Sequence, residues 1–303
     1  MVEIRTGTAR SGDLDLYYED MGDEGDPAVL LIMGLGAQLL LWRQGFCEKL
    51  VGQGLRVIRY DNRDAGLSSK LDGVKPVGPL LPKLARTFLA GRTNPGAYAL
   101  EDMADDAGAL LDQLGIPRAH IVGASMGGMI AQVFAARHAD RTAGLGILFS
   151  SNNQPLLPPP APRALLAVVK GSPAGASRER VVQDVIRARR IMGSPMYPAP
   201  TSVLRADAKE AYDRSYYPEG VARQFEAILA SGSLLDYDRQ ITAPTVVIHG
   251  LSDKLMRPAG GRAIAAAIRG ARMVQFDGMG HELPEDLWDQ VVDELKTTFA
   301  EAS

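Results

Sequence analysis

Gly123, Ser125 and Gly127 are spaced as G-x-S-x-G inside the run His120 to Gln132, which reads as a strand that breaks sharply into a helix. The spacing has a steric cause. A serine on such a turn takes a strained backbone, usually with φ above zero, and bulk two places to either side would strike the neighbouring strand and helix. Its hydroxyl then projects from the carboxyl end of the strand, beside the N-terminus of the next helix. Ala119 to Val122 is a short β-prone run, and Met126 to Ala136 is apolar nearly all round, as a helix buried against a sheet is. The plainer alternative is a glycine-rich turn whose serine only caps the helix.

A serine hydroxyl is a weak nucleophile at its free pKa, so it needs a general base and a group that orients the base. Four histidines are available. His120 falls at the strand end remote from the turn and His138 at the end of the following helix, so neither meets Ser125 easily. His249, at the carboxyl end of another β-prone run, is the competitor to His281. His281 lies in Gly278-Met279-Gly280-His281-Glu282, a glycine-rich loop that could bring the imidazole over the serine. The orienting acid should come from another loop at the same edge of a parallel sheet. Asp253, just after the run Thr245 to His249, fits; an aspartate in that place also serves as a turn cap.

These residues need a scaffold, and the chain supplies one in order. Residues 2 to 20 alternate around Ser11-Gly12-Asp13, which predicts an antiparallel hairpin. Ala28 to Met33 is a continuous apolar run, the pattern of a strand buried on both faces. It ends in Met33-Gly34-Leu35-Gly36, a loop that can turn backbone N–H groups toward a reaction centre or can be an ordinary strand-to-helix turn. A helix is predicted over 39–50 and a strand over 56–61, with Asp61 and Arg63 read as structural, paired with each other or with backbone. Residues 70–97 form a long connection rich in proline and glycine. Apolar residues from Leu100 to Leu114 recur at helical spacing up to Gly115, and Ala143 to Phe149 is another buried strand.

From Ser150 the character changes. A proline run at 155–162 leads into helix-like stretches, among them 178–191 and 222–229, with no clear strand before about Tyr237. Strand patterns return at 244–250 and 272–277, with helices over 259–268 and 287–299. The expected division is therefore a sheet domain in two parts, 1–150 and 241–303, around a helical insertion, 151–240.

Composition narrows the classes. The 303 residues suffice for one large α/β domain with an insertion, and 46% hydrophobic with 23% charged residues is ordinary for a soluble globular enzyme. A formal net charge of −3 without any basic block gives no footprint for nucleic acid. Cys47 is the sole cysteine, so no intramolecular disulfide or cysteine-based metal site can form, and it is read as a small buried apolar residue. The first residues lack an apolar core, and Gly34 and Gly36 interrupt the apolar stretch from Ala28 to Trp42. A cytoplasmic protein is expected.

The order Ser125, Asp253, His281 is the Ser…Asp…His order of α/β-hydrolases, and the chain resembles that superfamily over 28–68, 116–150 and 244–300. The runs Ile32 to Gly36 and Tyr60 to Arg63 are similar to an actinobacterial group of esterases and lipases, including mycobacterial lipase/esterase-type proteins and anthracycline methyl esterases. The resemblance implies an α/β-hydrolase fold: a mostly parallel central sheet with helices on both faces and an inserted helical cap. It implies that Leu35 and Met126 supply the two N–H groups of an oxyanion hole. Met33 stands where many members have histidine, and Asp64 replaces a glycine often found after the Asn-Arg pair.

The activity implied is that of a cofactor-free serine hydrolase, which cleaves a carboxylic ester, a lipid ester or a thioester through an acyl-enzyme on Ser125. The same fold also serves C–C bond hydrolysis, perhydrolysis and ligand capture without turnover. Serine at the turn argues against dehalogenase and epoxide-hydrolase chemistry, which in this fold use aspartate. Within Leu80 to Arg92, Leu81, Leu84 and Phe88 share one helical face, with Lys83, Arg86 and Arg92 nearby. That stripe either packs on the body of the domain or makes peripheral contact with a membrane. Oligomeric state has no signature in the sequence.

Overall fold

The opening hairpin forms as its alternation predicts: β1 (Ile4–Ser11) and β2 (Leu14–Met21) pair antiparallel about Gly12, whose φ of 56° suits a residue without a Cβ. The computed structural model describes residues 2–172 and 175–301. β3 (Ala28–Ile32) is buried along its whole length, as a strand covered on both faces must be. Its pleat sends Leu30 and Ile32 into one core and Val29 and Leu31 into the other.

α1 (Gln44–Val51) and β4 (Arg56–Tyr60) follow, then α2 (Leu80–Ala90), α3 (Leu100–Gln113), β5 (Ala119–Ala124), α4 (Met126–Arg137) and β6 (Thr142–Leu148). Five helices lie among the described residues between β6 and the next strand: α5 (Pro162–Lys170), α6 (Arg178–Met192), α7 (Thr201–Arg214), α8 (Pro218–Ser231) and α9 (Leu235–Asp238). The chain closes with β7 (Thr245–Gly250), α10 (Pro258–Ala267), β8 (Arg272–Phe276) and α11 (Trp288–Ala300). The eight strands form one sheet in the order β1-β2-β4-β3-β5-β6-β7-β8, parallel from β4 to β8 and antiparallel in the first hairpin and where β2 meets β4. This is an α/β-hydrolase fold.

Two apolar layers sandwich the sheet. α3, α4 and α10 bury Met103, Leu110, Ile130, Phe134 and Ile264 on one face, while α1 and α11 bury Phe46, Leu50, Val291 and Leu295 on the other. α4 has no polar face because it is covered on all sides, as its sequence predicts. A separate small core, Val182, Ile186, Leu204 and Ala208, joins α6 to α7 within the insertion. Cys47 is buried, and burial pushes its thiol up to about 12, so it packs as an apolar residue.

One expectation is corrected. The helix predicted over 39–50 is a 3₁₀ turn at Leu39–Leu41 followed, after an extended Arg43, by α1. The cause is Asp61, whose carboxylate takes the Leu39 N–H at 2.8 Å and caps that turn separately. Asp61 and Arg63 are structural through backbone and do not pair with each other: Asp61 holds Leu39 N, and Arg63 donates to Asp102 O. Asp61, fully buried, also accepts from Leu67 N and from the Arg214 guanidinium, whereas Arg63 grips both carboxylate oxygens of Asp106 on α3 at 2.6 and 2.8 Å.

For α2 the structure excludes one of the two readings. Its apolar stripe does not pack on the body of the domain: Leu81 is 76% exposed and Leu89 66%, and Leu84 is half-buried. The inward residues are Lys83 and Thr87. Lys83 forms a buried ion pair with Glu226 of α8 and donates to Pro95 O, while Thr87 donates to Leu229 O. Leaving a leucine in water forgoes about 1.5–3 kcal/mol. Periodicity located this helix but could not say which face turns inward, because the deciding partner, Glu226, is remote in sequence.

Candidate active site

The turn between β5 and α4 holds Ser125 at φ 57°, ψ −122°, a strained conformation for a residue with a Cβ. The surroundings over-determine it. Ser125 N donates to Leu148 O at 3.0 Å, and Ser150 Oγ donates to Ser125 O at 2.7 Å. The flanking glycines act as the motif requires: a Cβ at Gly123 would fall on the Gly127 backbone, and one at Gly127 on the Ile32 backbone. Close approach of α4 to β3 and β5 therefore depends on both.

His281 reaches the serine from the loop after β8. Its Nε2 lies 2.9 Å from Ser125 Oγ and its Nδ1 2.8 Å from Asp253 Oδ2. A carboxylate only accepts, so Nδ1 carries the proton and Nε2 is left to accept from the serine hydroxyl. Phe149 packs its ring edge-on to the imidazole, with centroids 5.0 Å apart. Asp253 is buried behind β7, and its other oxygen accepts from Leu255 N and Met256 N at 2.8 and 2.9 Å. Burial alone would raise this carboxyl, but the charge of His281 and hydrogen bonds from His249 and His281 outweigh it and hold Asp253 below its usual range.

The remaining histidines stand elsewhere. His249 is buried, donates through Nε2 to Met256 O at 2.7 Å and lies 3.4 Å from Asp253 Oδ2, so it braces the acid loop and does not contact Ser125. His120 stacks on Phe299, and burial holds its imidazole down to about 4. His138 faces Asp105 on the far side of α4.

Gly34 places the loop after β3 against Ser125: a Cβ there would meet Ser125 Cβ at 2.9 Å and Oγ at 3.4 Å. Leu35 follows directly, and Met126 is the first residue of α4, where backbone N–H groups have no partner inside the helix. Both are thus beside Ser125. In place of a histidine side chain at Met33, Asn62 braces this loop by donating to Met33 O at 2.8 Å. Asp64 takes φ 66°, which explains why glycine suits the position; its left-handed backbone is held by a buried fork to Arg223 at 2.8 Å and by the Tyr98 hydroxyl.

Sequence reasoning missed the contacts that tie the helical insertion to these loops. Gln224 on α8 accepts from Gly36 N through Oε1 at 2.7 Å and donates to Arg63 O through Nε2. At the end of α6, Met192 O accepts the His281 N–H at 2.8 Å, and just beyond it buried Ser194 Oγ accepts the Gly280 N–H at 2.9 Å. Glu282 returns the contact by accepting from Ser194 N at 2.7 Å. The acid loop is joined as well, through Ala161 N to Lys254 O. A polar residue on an otherwise ordinary helix carries no local signal of such a partner.

Fold and site together define a hydrolase-type arrangement, with Ser125, His281 and Asp253 on three loops at the carboxyl edge of the sheet. The family model for the α/β hydrolase fold matches residues 27–286, and the chain belongs to that family. It is 28% identical over 292 residues to the rhodomycin D methylesterase DauP of Streptomyces sp. (strain C5), covering 90% of each chain. It is also 28% identical over 284 residues to a 2-hydroxy-6-oxononadienedioate/2-hydroxy-6-oxononatrienedioate hydrolase of Cupriavidus pinatubonensis, covering 90% of this chain and 87% of that one. Among solved structures it is similar to the enol-lactonase from Burkholderia xenovorans, with TM-score 0.70, 26% identity, and coverage of 97% of this chain and 100% of the other.

Proposed function

We propose that this protein is a cytoplasmic serine hydrolase that cleaves carboxylic esters through an acyl-enzyme on Ser125. The observation that carries the reading is the continuous relay from Ser125 Oγ through His281 to Asp253, with steps of 2.9 and 2.8 Å. Ser125 Oγ attacks the ester carbonyl carbon as its proton passes to His281 Nε2. The tetrahedral oxyanion is held by the N–H groups of Leu35 and Met126. On collapse the C–O bond breaks and His281 returns the proton to the leaving alcohol, which gives the acyl-enzyme. Water then attacks the acyl carbon while His281 takes its proton, and the acid leaves as Ser125 is reprotonated.

Likeness to a methylesterase along nearly the whole chain favours a carboxylic methyl ester as the leaving-group class, with lipid esters and thioesters within the same chemistry. The helical insertion is the cap that selects among them, since its residues reach the loop after β3, the loop of His281 and the loop of Asp253. C–C bond hydrolysis is the second reading, favoured by equal identity to a hydrolase of a dienedioate. Assays of methyl, p-nitrophenyl and thioester substrates beside a vinylogous 1,5-diketone acid separate the two. Turnover of esters with none of the diketone supports the first reading; turnover of the diketone alone rejects it. Turnover of nothing, with Ser125 unreactive, rejects both in favour of ligand capture.

A further inference from the structure

The geometry points to the outer face of α2, with Leu156 beside it, as a docking surface for an anionic lipid bilayer. This inference rests on the hydrolase reading only for its consequence, the delivery of hydrophobic acyl esters to the cap. Leu80, Leu81, Phe88 and Leu89 are exposed on one helix, and Leu156, 79% exposed, joins them where its N–H donates to Phe88 O at 3.1 Å. A contiguous surface of this kind on an otherwise well-packed domain marks a contact.

The orientation of α2 is enforced. The buried Lys83–Glu226 pair, Lys83 to Pro95 O, and Thr87 to Leu229 O fix the polar side inward, and Gly91 at φ 62° closes the helix by donating to Thr87 O. Rotating the helix to bury its leucines would expose that pair and strand its partners. The apolar face is thus held outward by polar bonds, an inversion that serves a surface helix with an apolar environment to meet.

Charge decides the occupant. The chain as a whole is net negative, yet from Gly73 to Leu100 there is no Asp or Glu and there are four basic residues. Lys75, Arg86 and Arg92 are exposed around the apolar face, while Lys83 is consumed by Glu226. The stretch from Ser150 to Arg178, which contains Leu156 and Arg163, has no carboxylate either. An apolar strip rimmed by cations and free of acids matches the headgroup boundary of anionic lipid. A second copy of the chain would bring the same positive rim against itself.

The surface is also near the chemistry. Glu226, which anchors α2, lies on α8 two residues from Gln224, the acceptor of the Gly36 N–H in the loop facing Ser125.

Co-sedimentation of the full chain with vesicles of phosphatidylcholine, with and without phosphatidylglycerol, tests the inference. It is carried out on wild type, Ser125→Ala, Leu81→Asp/Leu89→Asp and Arg86→Gln/Arg92→Gln. Wild type and Ser125→Ala should bind phosphatidylglycerol vesicles equally, so that docking is read apart from hydrolysis. The leucine variant should bind at least about tenfold more weakly. The arginine variant should lose about fivefold per charge on anionic vesicles and show no change on neutral ones. Both variants should turn over a soluble short-chain ester at the wild-type rate. The proposal is overturned by wild type that pellets with neither vesicle, or by self-association that the leucine variant abolishes. Loss of soluble activity in both variants would equally overturn it, by making the face structural.

Discussion

Gln224 Oε1 accepts the Gly36 N–H at 2.7 Å, so a helix of the insertion holds the loop that stands against Ser125. The two residues are 188 positions apart, and the same side chain is anchored by its Nε2 to Arg63 O at 2.7 Å. If that loop supplies an oxyanion donor, loss of the brace should act on transition-state binding more than on substrate binding. Gln224→Ala is expected to lower kcat by about tenfold, less than the hundredfold or more for removing an oxyanion donor itself, with KM little changed. Gln224→Glu keeps the acceptor and should recover part of the rate. Steady-state kinetics with a melting curve for each variant checks this; a change in KM alone would assign Gln224 to the substrate pocket.

Ser194 should position the base in the same way. Its buried Oγ accepts from Gly280 N, next to His281. Ser194→Ala leaves a buried N–H without an acceptor, which costs about 1–3 kcal/mol of stability, and should slow both turnover and phosphonylation of Ser125 by about tenfold. Ser194→Thr retains the oxygen and is expected to restore both rates. A Ser194→Ala protein that is less stable but reacts with phosphonate at the wild-type rate would limit Ser194 to a structural role.

The turn at Ser125 was legible because its constraint is local: Gly123, Ser125 and Gly127 must meet one turn's sterics whatever surrounds them. His281 and Asp253 were legible nearly as well, since each sits in a short loop directly after a strand of a parallel sheet. Gln224 and Ser194 were not. Their partners lie 188 and 86 residues away, and nothing in a helix or a loop announces a distant amide. The same limit left the reading of α2 open, because apolar periodicity does not say which face turns inward and Glu226, which holds Lys83 inside, is remote in sequence. Asp61 and Arg63 illustrate it again: a structural role through backbone was legible, but their side-chain partners Arg214 and Asp106 are remote in sequence.

The two histidines near the acid should separate cleanly. His281→Ala removes the only imidazole in contact with Ser125 among the described residues and is expected to cut kcat by about four orders of magnitude or more. Asp253→Asn, which misorients that imidazole, should cost about three to four orders. His249→Ala loses a brace to Met256 O and the contact with Asp253 Oδ2 at 3.4 Å but leaves the His281–Asp253 bond, and should keep activity within about tenfold of wild type. Because Asp253 is held below the usual carboxylate range, its support for the native state is complete at neutral pH and is lost only as pH falls through that depressed value. An inactive His249→Ala beside an active His281→Ala would refute the assignment.

Asp238 gives a pH-dependent stability of opposite sign. Burial raises its carboxyl to about 7, against the hydrogen bond from Asn152 at 2.8 Å, which lowers it. An unfolded aspartate titrates near about 4, so between about 4 and 7 the folded chain holds a proton that the unfolded chain has released. Stability from this group is therefore full below that window, falls as pH rises through it, and is level above. Asp238→Asn keeps an acceptor for Asn152 and should be more stable than wild type at pH about 8 by at least about 1 kcal/mol, with no gain near pH about 4. Melting temperature against pH for both proteins reads this directly, and parallel curves would contradict it.

An acyl-enzyme on Ser125 is detected by peptide mass spectrometry of the protein quenched during turnover of a p-nitrophenyl ester. The expected result is an adduct of the acyl mass on the peptide containing Ser125, formed in a burst with stoichiometric p-nitrophenol release. Ser125→Ala should be folded, unlabelled and inactive. An adduct on another residue, or Ser125→Ala turning over ester at the wild-type rate, would contradict it.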